Sequence, residues 1–420
     1  MASIDSLPTS ITRRLCDTIV ARTPRDALPA LATVSRAWQK AFERHTFHAL
    51  YLSSPRLDQL EEIVTRQRQP LASYDRHQRN DKESAEDGNR TTRILTSTMQ
   101  DFFGTLSRWR VDDGPPEGIH VELLVESPSD EAAGSHYSRT SRSPTTTRRA
   151  RSSVVRLDIP SHALPQTPLV SALTCSGRHI ELSSIVFLIS RLPRLRLLDT
   201  EIEHDTSDDR DIEQRREFVL GLSHYAPKVT DLRLRRPMNS YGSQKMPYKE
   251  ARALFHSLLL QYTQRCTELT FDDCVDIREF LAPFQEGDGD GDFQHYWWPR
   301  LRRLHMRNSY MLRRPYMRVN TRASALKHVH EVVLMLGRAV RFMPSVTNVR
   351  VRQYVLTGAS LEQIIVQYEA DERTSKIFFD GIEPIHSAVE TWKASIWAIR
   401  GVELEVNVHI GRTYEGDAMA

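Results

Sequence analysis

Between residues 5 and 52, apolar side chains recur at Leu7, Ile11, Leu15 and Ile19 in steps of four, then at Leu28, Leu31, Val34, Trp38 and Phe42 in steps of three or four. This spacing predicts two or three short helices, each with one apolar face to be covered. Asp26 is placed to cap the second. Leu57, Leu60, Ile63 and Val64 prolong the helical pattern, and residues 75–90 then read as a polar loop. Ile94, Met99, Phe102, Phe103 and Leu106, closing at Trp109, rebuild a helical stripe. After a turn at Asp113 to Gly118, the apolar residues Ile119, Val121, Leu123 and Val125 alternate with polar neighbours as a strand does.

From about residue 168 a loose repeat sets in. Four copies align without gaps: Pro193 to Leu198, Pro227 to Leu234, Pro299 to Met306 and Pro344 to Val351, with a degenerate fifth at Cys266 to Phe271. The segments Ile185–Leu192, Arg215–Tyr225, Tyr248–Tyr262 and Leu326–Phe342 read as helices preceding copies of it. Helix, Pro-containing turn and short alternating strand make one unit, and such units stack when neighbouring strands pair in parallel. Past residue 355 the repeat fades, and Leu361–Tyr368, Lys376–Phe379 and Val402–Ile410 read as strands around a Ser387–Ile399 helix. Between Ser135 and Ser153 most residues are Ser, Thr or Arg and none is acidic. That composition predicts a disordered insertion, because it buries too little apolar surface to offset ordering.

The order of residues in the first segment, with Leu7-Pro8, Ile11, Leu28, Val34-Ser35-Arg36 and Trp38, resembles the F-box. The resemblance covers about one ninth of the chain and implies that this module docks on the Skp adaptor of a cullin-based ubiquitin ligase. The adaptor contacts it implies are Leu7, Pro8, Ile11, Leu15, Leu28, Leu31, Val34, Ser35 and Trp38, anchors of the helix-in-groove kind. Ser10 stands where many F-boxes carry an acidic residue, and Pro29 falls in the first turn of the second helix, where its missing N–H has no partner to lose. Both departures bear on adaptor affinity. The later units resemble irregular, long-period leucine-rich repeats, although most lack the consensus Asn or Cys after the strand, and an ordinary α/β domain is the alternative. The pairing of the two resembles fungal F-box proteins with degenerate repeats. The expected fold class is therefore α/β, with N-terminal F-box-like helices followed by an irregular leucine-rich-repeat-like solenoid with parallel strands. The expected boundaries are 1–65 for the F-box and following helix, 66–130 for loop, helix and first strand, 131–156 for the insertion, 157–355 for the repeats and 356–420 for an α/β cap.

Composition narrows the function. The chain has 420 residues, 40% of them hydrophobic, enough for a large core. Its formal charge is +3, and removing the six arginines between Arg139 and Arg156 leaves +3 − 6 = −3. Whole-chain charge thus gives no reason to expect nucleic-acid binding. Cys16, Cys175, Cys266 and Cys274 form no Cys-x-x-Cys pair, which fits a reducing cytoplasmic or nuclear compartment. Charged residues at Asp5, Arg13, Arg14 and Asp17 break the apolar run a signal peptide needs, and no apolar run is long enough to cross a bilayer.

No catalytic or cofactor motif is evident: there is no Gly-x-Ser-x-Gly, no Gly-Lys-Ser/Thr, and His330-Glu331 is not followed by a second zinc-spaced histidine. Asp288, Asp290 and Asp292 fail as a calcium loop, because Phe293 and Pro299 stand where Gly and Glu are required. The expectation is a non-enzymatic receptor: the F-box holds the Skp-type adaptor and through it a cullin, and the repeats hold a protein client. The alternative is a structural interaction protein without a ligase role. On the repeat strands the residues alternating with the apolar ones are expected to line an open face. Arg233, Arg235, His305, Arg307, Arg350 and Arg352 make that face basic in the later repeats, suited to an acidic or phosphorylated client.

Overall fold

The computed structural model describes residues 15, 18, 19, 22, 49–51, 85–108, 118–125, 155–160, 163–177, 180–202, 209–236, 249–285, 297–308, 322–357 and 360–410. Within these the chain is mixed α/β, built on a mostly parallel open sheet. It divides into two compact units, Met1–Arg178 with Ser190–Leu195, and His179–Ile189 with Arg196–Ala420. Among the described residues no helix is long and apolar enough to cross a membrane. Of the F-box-like segment, Leu7, Pro8, Ile11, Leu28, Leu31, Val34, Ser35 and Trp38 lie outside the described residues, as do 131–154 of the insertion and the acidic loop Glu286 to Asp292.

In the first unit, strands β1 (Ala49–Tyr51), β2 (Ile119–Val125) and β3 (Val170–Gly177) pair in parallel. The alternation expected in β2 is realised: Ile119, Val121, Leu123 and Val125 are buried. Helix α1 (Ala85–Ser107) buries Met99, Phe102, Phe103 and Leu106 at helical spacing. It starts within the stretch read as a polar loop. β3 was not expected, since its sequence VSALTCSG shows no alternation. Val155 and Arg156, the last residues of the expected insertion, are described: Val155 is buried and Arg156 exposed.

The second unit runs α2 (Leu182–Ile189), β4 (Leu197–Glu201), α3 (Asp209–Tyr225), β5 (Asp231–Arg235), α4 (Lys249–Thr263), β6 (Glu268–Asp272), the short α5 (Ile277–Phe280), β7 (Arg303–Asn308), α6 (Arg322–Val340), β8 (Asn348–Thr357), β9 (Ser360–Ala370), β10 (Ser375–Asp380), α7 (His386–Arg400) and β11 (Leu404–His409). Each copy of the sequence repeat contributes one of the strands β4 to β8, and these pair in parallel in one register. The recurrent proline has a local cause. Leu195, Val229, Leu301 and Val346 each donate their N–H to the carbonyl three residues back, at 3.0, 3.2, 3.4 and 3.0 Å. Pro193, Pro227, Pro299 and Pro344 are the second residue of these turns, the position whose φ proline presets.

Two rows, apolar but for Thr200, cross all eight strands on one face and are buried from β4 to β10, while on β11 Val406 is half-buried and Val408 44% exposed. One is Leu198, Leu232, Leu269, Leu304, Val349, Tyr368, Ile377 and Val406; the other is Thr200, Leu234, Phe271, Met306, Val351, Val366, Phe379 and Val408. The helices pack on one another in chain order. Where α6 meets α7, a Cβ on Gly337 would come within 2.7 Å of the Trp392 ring, so the contact admits only glycine. Trp392 is itself buried and donates its indole N–H to the Val333 carbonyl at 3.0 Å.

The parallel pairing expected of the repeats holds for β4 to β8; for the strands after residue 355 no direction was expected. β8 pairs with β9, and β9 with β10, antiparallel; β10 and β11 return to parallel. Connection length is the reason. Residues 358–359 and 371–374 are too few for a crossover, so those links give hairpins, whereas α7 spans the β10 to β11 link. β8 runs through residue 357, so the expected boundary at 355/356 cuts a strand, and segments 157–355 and 356–420 share one unit from residue 196 onward.

Candidate functional site

The face of the second unit opposite its apolar rows carries the chemistry. Three polar rows cross it. The first reads Asp231, Glu268, Arg303, Asn348, Glu369, Lys376, Glu405, from β5 to β11. The second reads Asp199, Arg233, Thr270, His305, Arg350, Gln367, Phe378, Asn407, and the third Glu201, Arg235, Asp272, Arg307, Arg352, Ile365, Asp380, His409. All six residues named from the sequence, Arg233, Arg235, His305, Arg307, Arg350 and Arg352, therefore lie on one face in two adjacent rows. Of the nine residues expected to dock on an adaptor only Leu15 is described; it lies in helical backbone and is 39% exposed.

The electrostatics of this face differ from a simple basic ladder. Arg235 Nε meets Asp199 Oδ1 at 2.7 Å, and Glu268 takes Arg303 at 2.8 Å and Arg233 at 3.9 Å. Arg307 lies 3.5 Å from Asp272 and 3.9 Å from Asp273. The first of these distances is an ion pair without a hydrogen bond, because Arg307 Nε has no acceptor. Acids thus interleave with the arginines of β5 to β7 and neutralise them strand by strand. The sequence reading paired like with like because it followed the arginines and passed over Asp231 and Glu268, which stand in the first of these rows, one it did not consider. Opposite charges at directly opposed positions are the favourable cross-strand pairing.

Partial burial shapes these carboxylates. Burial pushes Glu201 above its ordinary value against the pull of Arg235, and Asp199 adds to the rise. Burial likewise raises Asp231, with Glu268 reinforcing it. At Asp272 burial outweighs the opposing attraction of Arg307. Each of these three carboxylates is held in a setting that disfavours its charge, so the Asp272–Arg307 pair is no strong source of stability.

The pattern breaks at β8. Arg350 and Arg352 have no carboxylate within ion-pair distance among the described residues, and their Nε groups are shut from solvent without an acceptor. Burial, and secondly the charge of Arg352, lower the pKa of Arg350, which Glu369 partly offsets. Around them His305 Nε2 is 2.8 Å from Asn348 Oδ1, and the Arg307 guanidinium stands 5.3 Å from the centre of the Tyr354 ring. Beyond them, over β9 to β11, Ile365, Gln367, Phe378, Asp380, Asn407 and His409 line a shallow trough of about 560 Å³. Phe378 is 37% exposed there. Sequence reasoning stopped short of this extension, although Gln363, Ile365, Gln367 and Glu369 show the alternation that marks it.

Among the described residues no three His, Cys, Asp or Glu side chains are grouped to hold a metal ion. Comparison with protein-family models and with curated proteins finds no match to this chain.

Proposed function

We propose that the chain is the substrate-recognition subunit of a Skp-cullin-F-box ubiquitin ligase. Residues 5 to 52 dock on the Skp adaptor, and β4 to β8 with their helices are irregular leucine-rich-repeat-like units whose open face holds a protein client. The receptor makes and breaks no bond; ubiquitin transfer belongs to other subunits, in the cytoplasm or nucleus. The observation that carries the reading is the uniform register of five successive repeat strands. It aligns Arg233, Arg235, His305, Arg307, Arg350 and Arg352 on a face that no apolar row occupies up to β8. A stacked array of short strands with part-exposed charged rows suits recognition of an extended protein surface, as repeat architectures generally do. The exposure of Leu15 on the F-box-like segment fits an anchor awaiting a partner.

The test is affinity purification of the full chain under proteasome blockade, comparing the native protein with one carrying Arg307→Glu and Arg350→Glu. The expected result is adaptor and cullin with both proteins, and a ubiquitinated client with the native protein alone. Adaptor without cullin supports a structural interaction protein instead, and an unchanged client set removes the open face from consideration.

A further inference from the structure

The sheet of the second unit ends at β11, which pairs with β10 alone among the described residues. Gly381 donates its N–H to the His409 carbonyl at 3.1 Å, so the peptide groups of His409 face β10. Peptide groups change sides from one residue of a strand to the next, and those of Asn407 and Glu405 therefore face β10 as well. Val406, Val408 and Ile410 turn theirs outward. Lysine, proline or a bulge commonly blunts an edge of this kind. β11, with the sequence LEVNVH, has no lysine and no proline, and it pairs with β10 without a bulge. Its one carboxylate, Glu405, is already engaged by Lys376 at 3.0 Å. Val408 is part-exposed, and Ile410, 65% exposed, is the most exposed large apolar residue described.

The order of residues along this edge indicates what fits it. About Asn407 the segment Leu404–Ile410 is a palindrome of apolar and polar positions: Leu404 answers Ile410, Glu405 answers His409 and Val406 answers Val408. An antiparallel strand of the same sequence, related by a two-fold axis at Asn407, sets each of these pairs face to face. Val406 and Val408, whose peptide groups both point outward, then occupy hydrogen-bonded pairs. Glu405, Asn407 and His409 occupy the non-hydrogen-bonded ones, where side chains come closest. No like charges are opposed, and the exposed valines cover one another. Side-chain hydrogen bonds from Lys376 and then Asn407 hold Glu405 below the usual carboxylate range, so it stands ready to accept a ring N–H of His409. Centred on Val406 or Val408 instead, the overlap within Leu404–Ile410 shortens and Glu405 no longer meets His409. A strand of unrelated sequence would have no use for this symmetry.

We infer that β11 is a homodimerisation edge: a second copy of this chain adds its own β11 antiparallel, about a two-fold axis at Asn407, and joins the two sheets into one. Such a contact is isologous and closes at two chains, which uses up the edge. The axis is perpendicular to the sheet, so the open faces of both copies point the same way. A partner that engages both then gains from effective concentration. The inference goes beyond the receptor reading and does not rest on it, since none of the six basic residues named from the sequence lies on β11.

The test is sedimentation velocity of the full chain over a dilution series, with oxidative crosslinking to fix the register. The native chain should dimerise reversibly. Val408→Pro removes an outward N–H and no bond to β10, an edge position at which proline is tolerated, and should weaken the dimer about tenfold or more. At a dilution where both are monomeric, the variant should melt with the native chain. Under oxidised glutathione, with the native chain setting the background, Asn407→Cys should link copy to copy. Its Cα would stand about 4.5 Å from that of the second copy, within the span of a disulfide. Glu405→Cys and His409→Cys should each stay unlinked, about 13 Å from their own counterparts, yet link to each other when the two variants are mixed. A native chain that stays monomeric throughout overturns the inference. So does a dimer unaffected by Val408→Pro, or equal linking of Asn407→Cys and Glu405→Cys alone. A monomeric chain that Val408→Pro destabilises would show the edge covered by a segment of its own, which overturns it too. None of these outcomes touches the receptor reading, which adaptor and client capture decide.

Discussion

At the scale of single residues, close packing and partial burial make distinct demands. Gly337 leaves no room for a methyl group against Trp392, so Gly337→Ala should lower stability by about 1 to 3 kcal/mol by overpacking, read as a shift of the denaturant midpoint. Trp298 is fully buried and donates to Thr263 Oγ1 at 3.2 Å. Trp298→Ala should cost about 3 to 5 kcal/mol. Glu201 offers a pH signature. Its folded-state pKa is raised, chiefly by burial, so the native chain binds its proton more tightly folded than unfolded. The stability it forfeits by ionising is therefore fully present below the unfolded value and lost as pH rises through the folded one. Glu201→Gln should accordingly melt higher than the native chain at neutral pH. The difference should fade as pH falls into the ordinary glutamate range; a difference that grows on acidification would contradict the burial argument.

At the scale of elements, legibility followed physical cause. The strands β4 to β8 could be read because two local signals coincide in each, a proline preset for the turn and alternation across a half-buried sheet. The helices before β4, β5, β6 and β8 were legible from apolar spacing, with ends a few residues off. α5 was missed: a four-residue helix has no period to detect, and only its cap marks it, Asp276 accepting from the N–H groups of Arg278 and Glu279 at 3.0 and 3.3 Å. β3 was missed because a register shift at its start, where Ile119 pairs with Val170 but His120 with Ala172, sets Ala172 beside Leu173 and breaks the alternating pattern. The candidate site was half legible. Alternation put six basic residues on one face, but which of them are already neutralised depends on cross-strand register, which a single strand's sequence does not encode. If the turn prolines act by preorganising the chain, Pro299→Ala should destabilise by about 0.4 to 1 kcal/mol through the unfolded state, with the folded structure unchanged. A larger loss would mean a packing role that the exposed position of Pro299 does not suggest.

At the scale of the whole molecule, the receptor reading divides labour along the chain: adaptor at the N-terminal segment, client on the open face of the second unit. Deleting residues 135–153 should leave melting temperature and adaptor binding unchanged, because that composition offers no apolar anchor. A lowered melting temperature would give the insertion a structural part. The most direct measurement is adaptor pull-down by the full chain carrying Leu7→Ala and Pro8→Ala, paired with its melting temperature. The receptor reading predicts that adaptor and cullin binding disappear while melting stays at the native value, since docking anchors are uncovered in the isolated chain. Adaptor binding that survives the double change, or a fall in stability of several kcal/mol as for truncated core residues, would contradict it and make these helices a cap on their own protein.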